Sequence, residues 1–209
     1  MAKKVDVWIS GIPRNSGYDP IFQLKFDPKP SHEIVRSRIN RYKAGKFVAP
    51  EDLPNLAVEF YHDRREKPPK PITCSTYILV SEACKVVMEQ FDLGRSHFVE
   101  IPLMRYDRKS QLEERYFILN IAEVKTCLLP ELSKRWKLRF KQKPGEWRPV
   151  SSDTNDGQTA LSAGALEGVD LWWDTLVYGH FFLSDRLRQG LREGGVKPFS
   201  AKACRVISH

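Results

Sequence analysis

No stretch of this sequence approaches the ~20 consecutive apolar residues that cross a membrane. The longest apolar runs, such as Tyr77-Ile78-Leu79-Val80, are far shorter. The first residues, Met1-Ala2-Lys3-Lys4-Val5-Asp6-Val7, carry charge with no apolar stretch behind it, because Asp6 interrupts. They do not read as a signal peptide, so the expected location is cytoplasmic, with no membrane partner. Cysteine is scarce. Cys74, Cys84, Cys127 and Cys204 form no C-x-x-C pair, and no Cys/His cluster has zinc spacing. They read as small apolar fillers rather than a disulfide framework or a metal site. Catalytic motifs are missing too. There is no G-x-S-x-G elbow, no glycine-rich phosphate loop and no Walker lysine. The five histidines (His32, His62, His97, His180, His209) never stand four apart, and none sits in an H-x-E pattern. Ser81 and Ser184 read as helix caps rather than nucleophiles. The sequence therefore offers no catalytic residue, no cofactor site and no metal ligand, and an enzyme is not expected.

What is present is a chain that folds. Its 209 residues, 41% hydrophobic and 29% charged, are ordinary globular composition. That length supports one large domain or two small ones and buries about 70% of the unfolded surface. The net charge is +8 and is unevenly placed. Residues 1–73 hold 14 basic and 9 acidic side chains, and residues 131–149 hold 7 and 2. The other two stretches, 74–130 and 150–209, each carry one more acid than base.

The short basic segment is patterned. Lys137, Arg139, Lys141 and Lys143 take one parity, while Leu138 and Phe140 take the other. In a strand these parities face opposite sides. One side would carry four cations about 6–7 Å apart, and the other would lie on the core. Three roles fit such a stripe: lysines that keep an edge from pairing, an acidic protein partner, or phosphates of a nucleic acid. No nucleic-acid-binding module signature accompanies it.

The remaining pattern predicts an α+β fold with a mixed or antiparallel sheet and a few short helices. Strands are expected at 5–9, 21–26, 56–61, 76–80, 97–103, 116–121 and 169–174, with a short final run at 203–207. Trp172-Trp173 reads as one core tryptophan and one outer one. A helix from His32 to about Ala44 follows Ser31 and stops at Gly45. The charged, proline-rich stretch 63–71 reads as an exposed connector, which suggests either an N-terminal lobe (1–73) beside a core (74–209) or one compact domain made of both. Residues 150–168 are small and polar, and read as one long mobile loop. Two stretches share a grammar. An apolar run ends in Ser81-Glu82, a helical pattern extends to about Phe91, Gly94 follows, and then a strand. The same order recurs from Phe181 through Ser184-Asp185 to Gly194-Gly195 and Phe199. Either one strand, Ser-capped helix, glycine and strand architecture is used twice, or a common grammar has recurred by chance.

Tyr77-Ile78-Leu79-Val80-Ser81-Glu82, His97-Phe98-Val99-Glu100-Ile101-Pro102 and Tyr116-Phe117-Ile118-Leu119-Asn120 occur in this order. Asp170-Leu171-Trp172, Phe181-Phe182-Leu183-Ser184-Asp185-Arg186-Leu187 and Gly195-Val196-Lys197-Pro198-Phe199 follow. This order resembles a bacterial family first catalogued as a domain of unknown function and later assigned to immunity proteins of polymorphic toxin systems, immunity family eleven. The resemblance covers roughly 74–207, and the last forty residues carry most of it. It implies a non-enzymatic α+β protein, encoded beside a secreted toxin that it neutralises by tight binding, and it supplies no catalytic residues. An inhibitor mimicking nucleic acid would be acidic, whereas this chain is basic. The expected partner is therefore a toxin met through an acidic surface. The expected contact residues are Lys137, Arg139, Lys141 and Lys143, with Trp147 and the loop after it. A basic nucleic-acid-binding accessory protein is the alternative.

Overall fold

The computed structural model describes residues 6–10, 22–59, 72–74, 76–140, 143–150, 155–196 and 201–207. The predicted connector 63–71 and Lys141 lie outside them. The chain is α+β, with antiparallel and mixed sheets. In chain order its strands are β1 (Val7–Ser10), β2 (Phe22–Lys25), β3 (Leu56–Glu59), β4 (Ile72–Cys74), β5 (Ile78–Ser81), β6 (His97–Ile101), β7 (Leu103–Met104) and β8 (Tyr116–Asn120). Then come β9 (Val124–Lys125), β10 (Trp136–Phe140), β11 (Lys143–Pro149), β12 (Ala160–Ser162), β13 (Leu171–Asp174), β14 (Phe181–Ser184), β15 (Ala201–Ala203) and β16 (Arg205–Ile207). The helices are α1 (His32–Lys43), α2 (Glu82–Met88) and α3 (Asp185–Glu193).

Two sheets form the centre. One runs β4-β5-β8-β6, antiparallel throughout. The other runs β15-β1-β14-β13-β9, antiparallel except where β9 joins β13 in parallel. Every residue of β8 and of β13 is buried. Successive strand residues point to opposite faces, so such a strand must be covered on both sides. That requirement produces a layered molecule with three cores. The first lies between the sheets, with Ile78, Val80, Phe117 and Leu119 meeting Leu171, Trp173, Phe181 and Leu183. The second covers the outer face of the five-stranded sheet, where Val7, Ile9, Trp172 and Phe182 meet Trp136 and Leu161. The third lies on the outer face of the other sheet, where Leu79, Tyr116 and Ile118 meet Tyr42, Val48, Leu53, Ala57 and Leu103.

This layering corrects the expectation for Trp172-Trp173. Neither is an outer residue: they are 1% and 8% exposed and fill different cores. The stretch 150–168 is also more ordered than its composition predicts. Ala160 and Leu161 are fully buried in β12, which pairs in parallel with β16, and a 3-10 turn spans Ala163–Leu166.

The two matching units share the strand, the serine cap and the helix, while Phe199, the counterpart of Phe98, lies outside the described residues. Ser81 Oγ accepts from Cys84 N–H at 3.3 Å and Ser184 Oγ from Leu187 N–H at 3.2 Å. Glu82 and Asp185 sit in the first turns, against the positive helix ends. Helix α2 stops at Met88, short of the predicted Phe91. Helices α2 and α3 pack against each other, closing the first core with Cys84, Met88, Leu187 and Leu191. Glycine permits the approach: a Cβ at Gly190 would stand 2.3 Å from the Phe91 ring, and one at Gly194 would stand 2.5 Å from Val87.

The signature residues of the last unit are structural. Asp170, 1% exposed, accepts from Ser184 Oγ and Arg186 Nε, both at 2.5 Å, and from Asp92 N–H at 3.0 Å. One carboxylate thus ties the cap of α3 to the turn after α2. The N-terminal third is built into the sheets as well. β1 lies between β14 and β15, and Tyr42 Oη donates to Leu119 O at 2.7 Å while accepting from Ile78 N–H at 2.9 Å.

Candidate partner-binding surface

The basic segment folds as the hairpin β10–β11, and Trp136 seats it. That side chain is 9% exposed and packs into the second core. The hairpin pairs Trp136 with Pro149, Lys137 with Arg148 and Leu138 with Trp147, then shifts register to pair Phe140 with Lys143. Gly145, at φ +120°, lies in the strand opposite the shift. This backbone angle suits glycine, which has no Cβ to clash.

A neighbouring turn holds the hairpin from the side. Asp174 Oδ2 accepts from Cys127 N–H at 2.6 Å and Leu128 N–H at 3.0 Å, and Oδ1 accepts from Leu176 N–H at 2.9 Å. Burial pushes the Asp174 carboxyl above its usual range, although these three donors pull it partly back. The turn so fixed presents its own backbone to the hairpin. Trp147 N–H donates to Leu176 O at 2.6 Å, and Tyr178 N–H donates to Trp147 O at 2.9 Å.

The predicted contact residues fare differently. Lys137 is exposed. Arg139 is half-buried, and its guanidinium meets Glu146 at 2.7 Å and lies 3.3 Å from the Tyr178 ring centre and 4.6 Å from that of Phe140. Trp147 is half-buried against the second core, on the Leu138 side of the ribbon. Lys143 belongs to β11, but its side chain, like the whole of Lys141, is outside the described part. Alternation predicts Phe140 on the core. Instead the apolar face runs out along the strand: Trp136 is buried, Leu138 half-buried and Phe140 45% exposed.

One feature of the hairpin was not read from the sequence. Lys137 and Arg148 are directly opposite each other across the ribbon. Like charges in that position oppose folding, by about 0.2–1 kcal/mol for a cross-strand pair. Among the described residues no carboxylate pairs with either, and Arg148 Nε is buried without an acceptor. A strand-register rule applied to the sequence could have found the pair, had the turn been placed.

Other surfaces are less suited to function. An open groove of about 490 Å³ runs along α1 between Glu33, Arg36, Asn40, Arg41 and Lys46, but Arg41 is already tied to Asp52 and to Phe47 O. Cys84, Cys127 and Cys204 are buried and free. Burial pushes the Cys84 thiol up to about 12 and raises the other two, so none is a thiolate nucleophile at neutral pH. His180 Nδ1 lies 2.6 Å from Ser10 O, and the His97 ring rests on Phe47. Among the described residues no three His, Cys, Asp or Glu side chains gather as a metal site, and no helix is long and apolar enough to cross a membrane.

A comparison with curated proteins gives no match. A comparison with protein families matches the immunity protein family Imm11 over residues 25–206. The match begins well before residue 74, so α1 and β3 fall within it. It also spans both strand–cap–helix units, the Asp170 network and the hairpin. On that coverage, the chain belongs to the Imm11 immunity protein family.

Proposed function

We propose that this protein neutralises a cognate secreted bacterial toxin by direct binding, without catalysis, in the cytoplasm of the cell that makes it. Family membership supports the immunity role. The contact surface proposed is the cationic face of β10–β11, with Lys137, Arg139 and Arg148 described and Lys141 and Lys143 continuing the stripe in sequence. The observation that carries this assignment is the Lys137–Arg148 juxtaposition, which no carboxylate among the described residues neutralises. An exposed ribbon that places two cations opposite each other gives up stability, and an acidic partner surface would recover it.

The test is co-purification with the toxic C-terminal domain encoded beside this gene. A stable complex, together with loss of toxicity on co-expression, is expected. A protein that leaves the toxin free but is retained on DNA or RNA at low salt would refute the proposal in favour of a nucleic-acid-binding role.

A further inference from the structure

We infer that Phe140 is the apolar anchor of this surface, and that its occupant is a protein pocket rimmed by carboxylates. The inference rests on the toxin-binding reading and assigns its partner chemistry. Phe140 should lie on the core by alternation, yet it is 45% exposed at the end of β10. The register shift between Leu138 and Phe140 separates it from the Trp136 and Leu138 side of the ribbon that reaches the second core. An aromatic ring held at a hairpin end, next to cations, is a side chain that a partner can bury at small entropic cost, because strand pairing already fixes its backbone.

Its surroundings define the pocket. The Arg139 guanidinium lies 4.6 Å from the Phe140 ring centre and is also held by Glu146 and Tyr178. It therefore supports the ring rather than standing free. Of the hairpin's cations, Lys137 and Arg148 are left without a carboxylate among the described residues; Lys137 stands three positions before the ring in β10, with Arg148 opposite it in β11. A matching partner supplies a hydrophobic pocket for the ring and at least one carboxylate for that pair.

Nucleic acid fits this arrangement less well. One face of Tyr178 is already covered by Arg139 at 3.3 Å, which leaves Phe140 as a single well-exposed ring among the described residues of the hairpin, and Glu146 places a carboxylate beside it. A binder of single strands needs open aromatic faces along a positive track.

The experiment measures association and dissociation of the full chain with the toxin domain for the wild type, Phe140→Ala, Phe140→Leu and Lys137→Glu, each checked for folding by circular dichroism. Phe140→Ala is expected to raise the dissociation rate about ten- to a hundredfold, with association within about twofold. Phe140→Leu should restore part of the loss, and Lys137→Glu should act mainly on association. If Phe140→Ala dissociates like the wild type while Lys137→Glu still slows association, the anchor is wrong and the toxin-binding reading survives. If the wild type does not bind the domain, both fall. If Phe140→Ala instead abolishes retention on single-stranded RNA, the occupant is nucleic acid and the inference is overturned.

Discussion

Gly190 offers a sharp test of how the two strand–cap–helix units meet. It lies inside α3, where glycine costs about 1 kcal/mol relative to alanine. By helix propensity alone, Gly190→Ala should stabilise the protein. The packing opposes this. An added Cβ would lie 2.3 Å from Cζ and 2.6 Å from Cε2 of Phe91, much closer than carbon atoms tolerate. The Phe91 ring is half-buried against the first core and can yield only by giving up contact with it. Overpacking of this kind costs about 1–3 kcal/mol, so a net loss of about 1 kcal/mol is expected. At this chain length such a loss lowers Tm by about 2–4 °C. The assay is thermal and urea unfolding of the wild type, Gly190→Ala, Phe91→Ala and the double variant. Without the Phe91 ring, Gly190→Ala should become stabilising by about 1 kcal/mol, which gives a coupling of about 2 kcal/mol. Stabilisation by Gly190→Ala in both backgrounds would show that α3 and the turn after α2 are not in this contact.

Two further substitutions probe other parts of the frame. Ser184→Ala should cost more than Ser81→Ala, because the Ser184 hydroxyl caps α3 and also donates to Asp170 at 2.5 Å. About 1 kcal/mol is expected for the Ser81 cap and about 2–3 kcal/mol for Ser184, and equal losses in urea unfolding would contradict the role of Asp170. Asp174 has a raised pKa in the folded state because it is buried. Its protonated form therefore favours folding. That contribution is complete below the unfolded value of about 3.9 and is lost as pH rises through the higher folded value. The stability of the wild type relative to Asp174→Asn should accordingly fall across this window and level off above it. A difference that grows with pH would mean that the three N–H donors outweigh burial.

Much of the frame was legible because local chemistry specified it. Ser31, Ser81 and Ser184 each cap the helix that the sequence placed after them. The run from Tyr116 to Asn120 is a strand because Phe117, Ile118 and Leu119 put apolar side chains on both faces, and the one buried amide, Asn120, is satisfied by Val48 N–H and Lys46 O. The misreadings share one cause, which is partners distant in sequence. Trp172 and Trp173 look like an inner and an outer residue until both faces of β13 are covered. Ala160 and Leu161 look like loop until β16, some 45 positions later, pairs with them. In the hairpin the sequence located the positive charge but not its neutralisation. Arg139 is held by Glu146 seven residues on, whereas Lys137 faces Arg148, and only the register decides which cation is left over. Phe140 was assigned to the core by parity that the register shift interrupts.

The central claim is that this protein acts by covering a toxin with the cationic face of β10–β11. The most direct measurement is the association rate of the toxin domain with the wild type and with Lys137→Glu across a salt series. The account predicts association slowed about five- to tenfold at low salt in the variant, a shallower salt dependence, and convergence of the two proteins at high salt. Identical rates at every salt concentration would remove this hairpin from the interface.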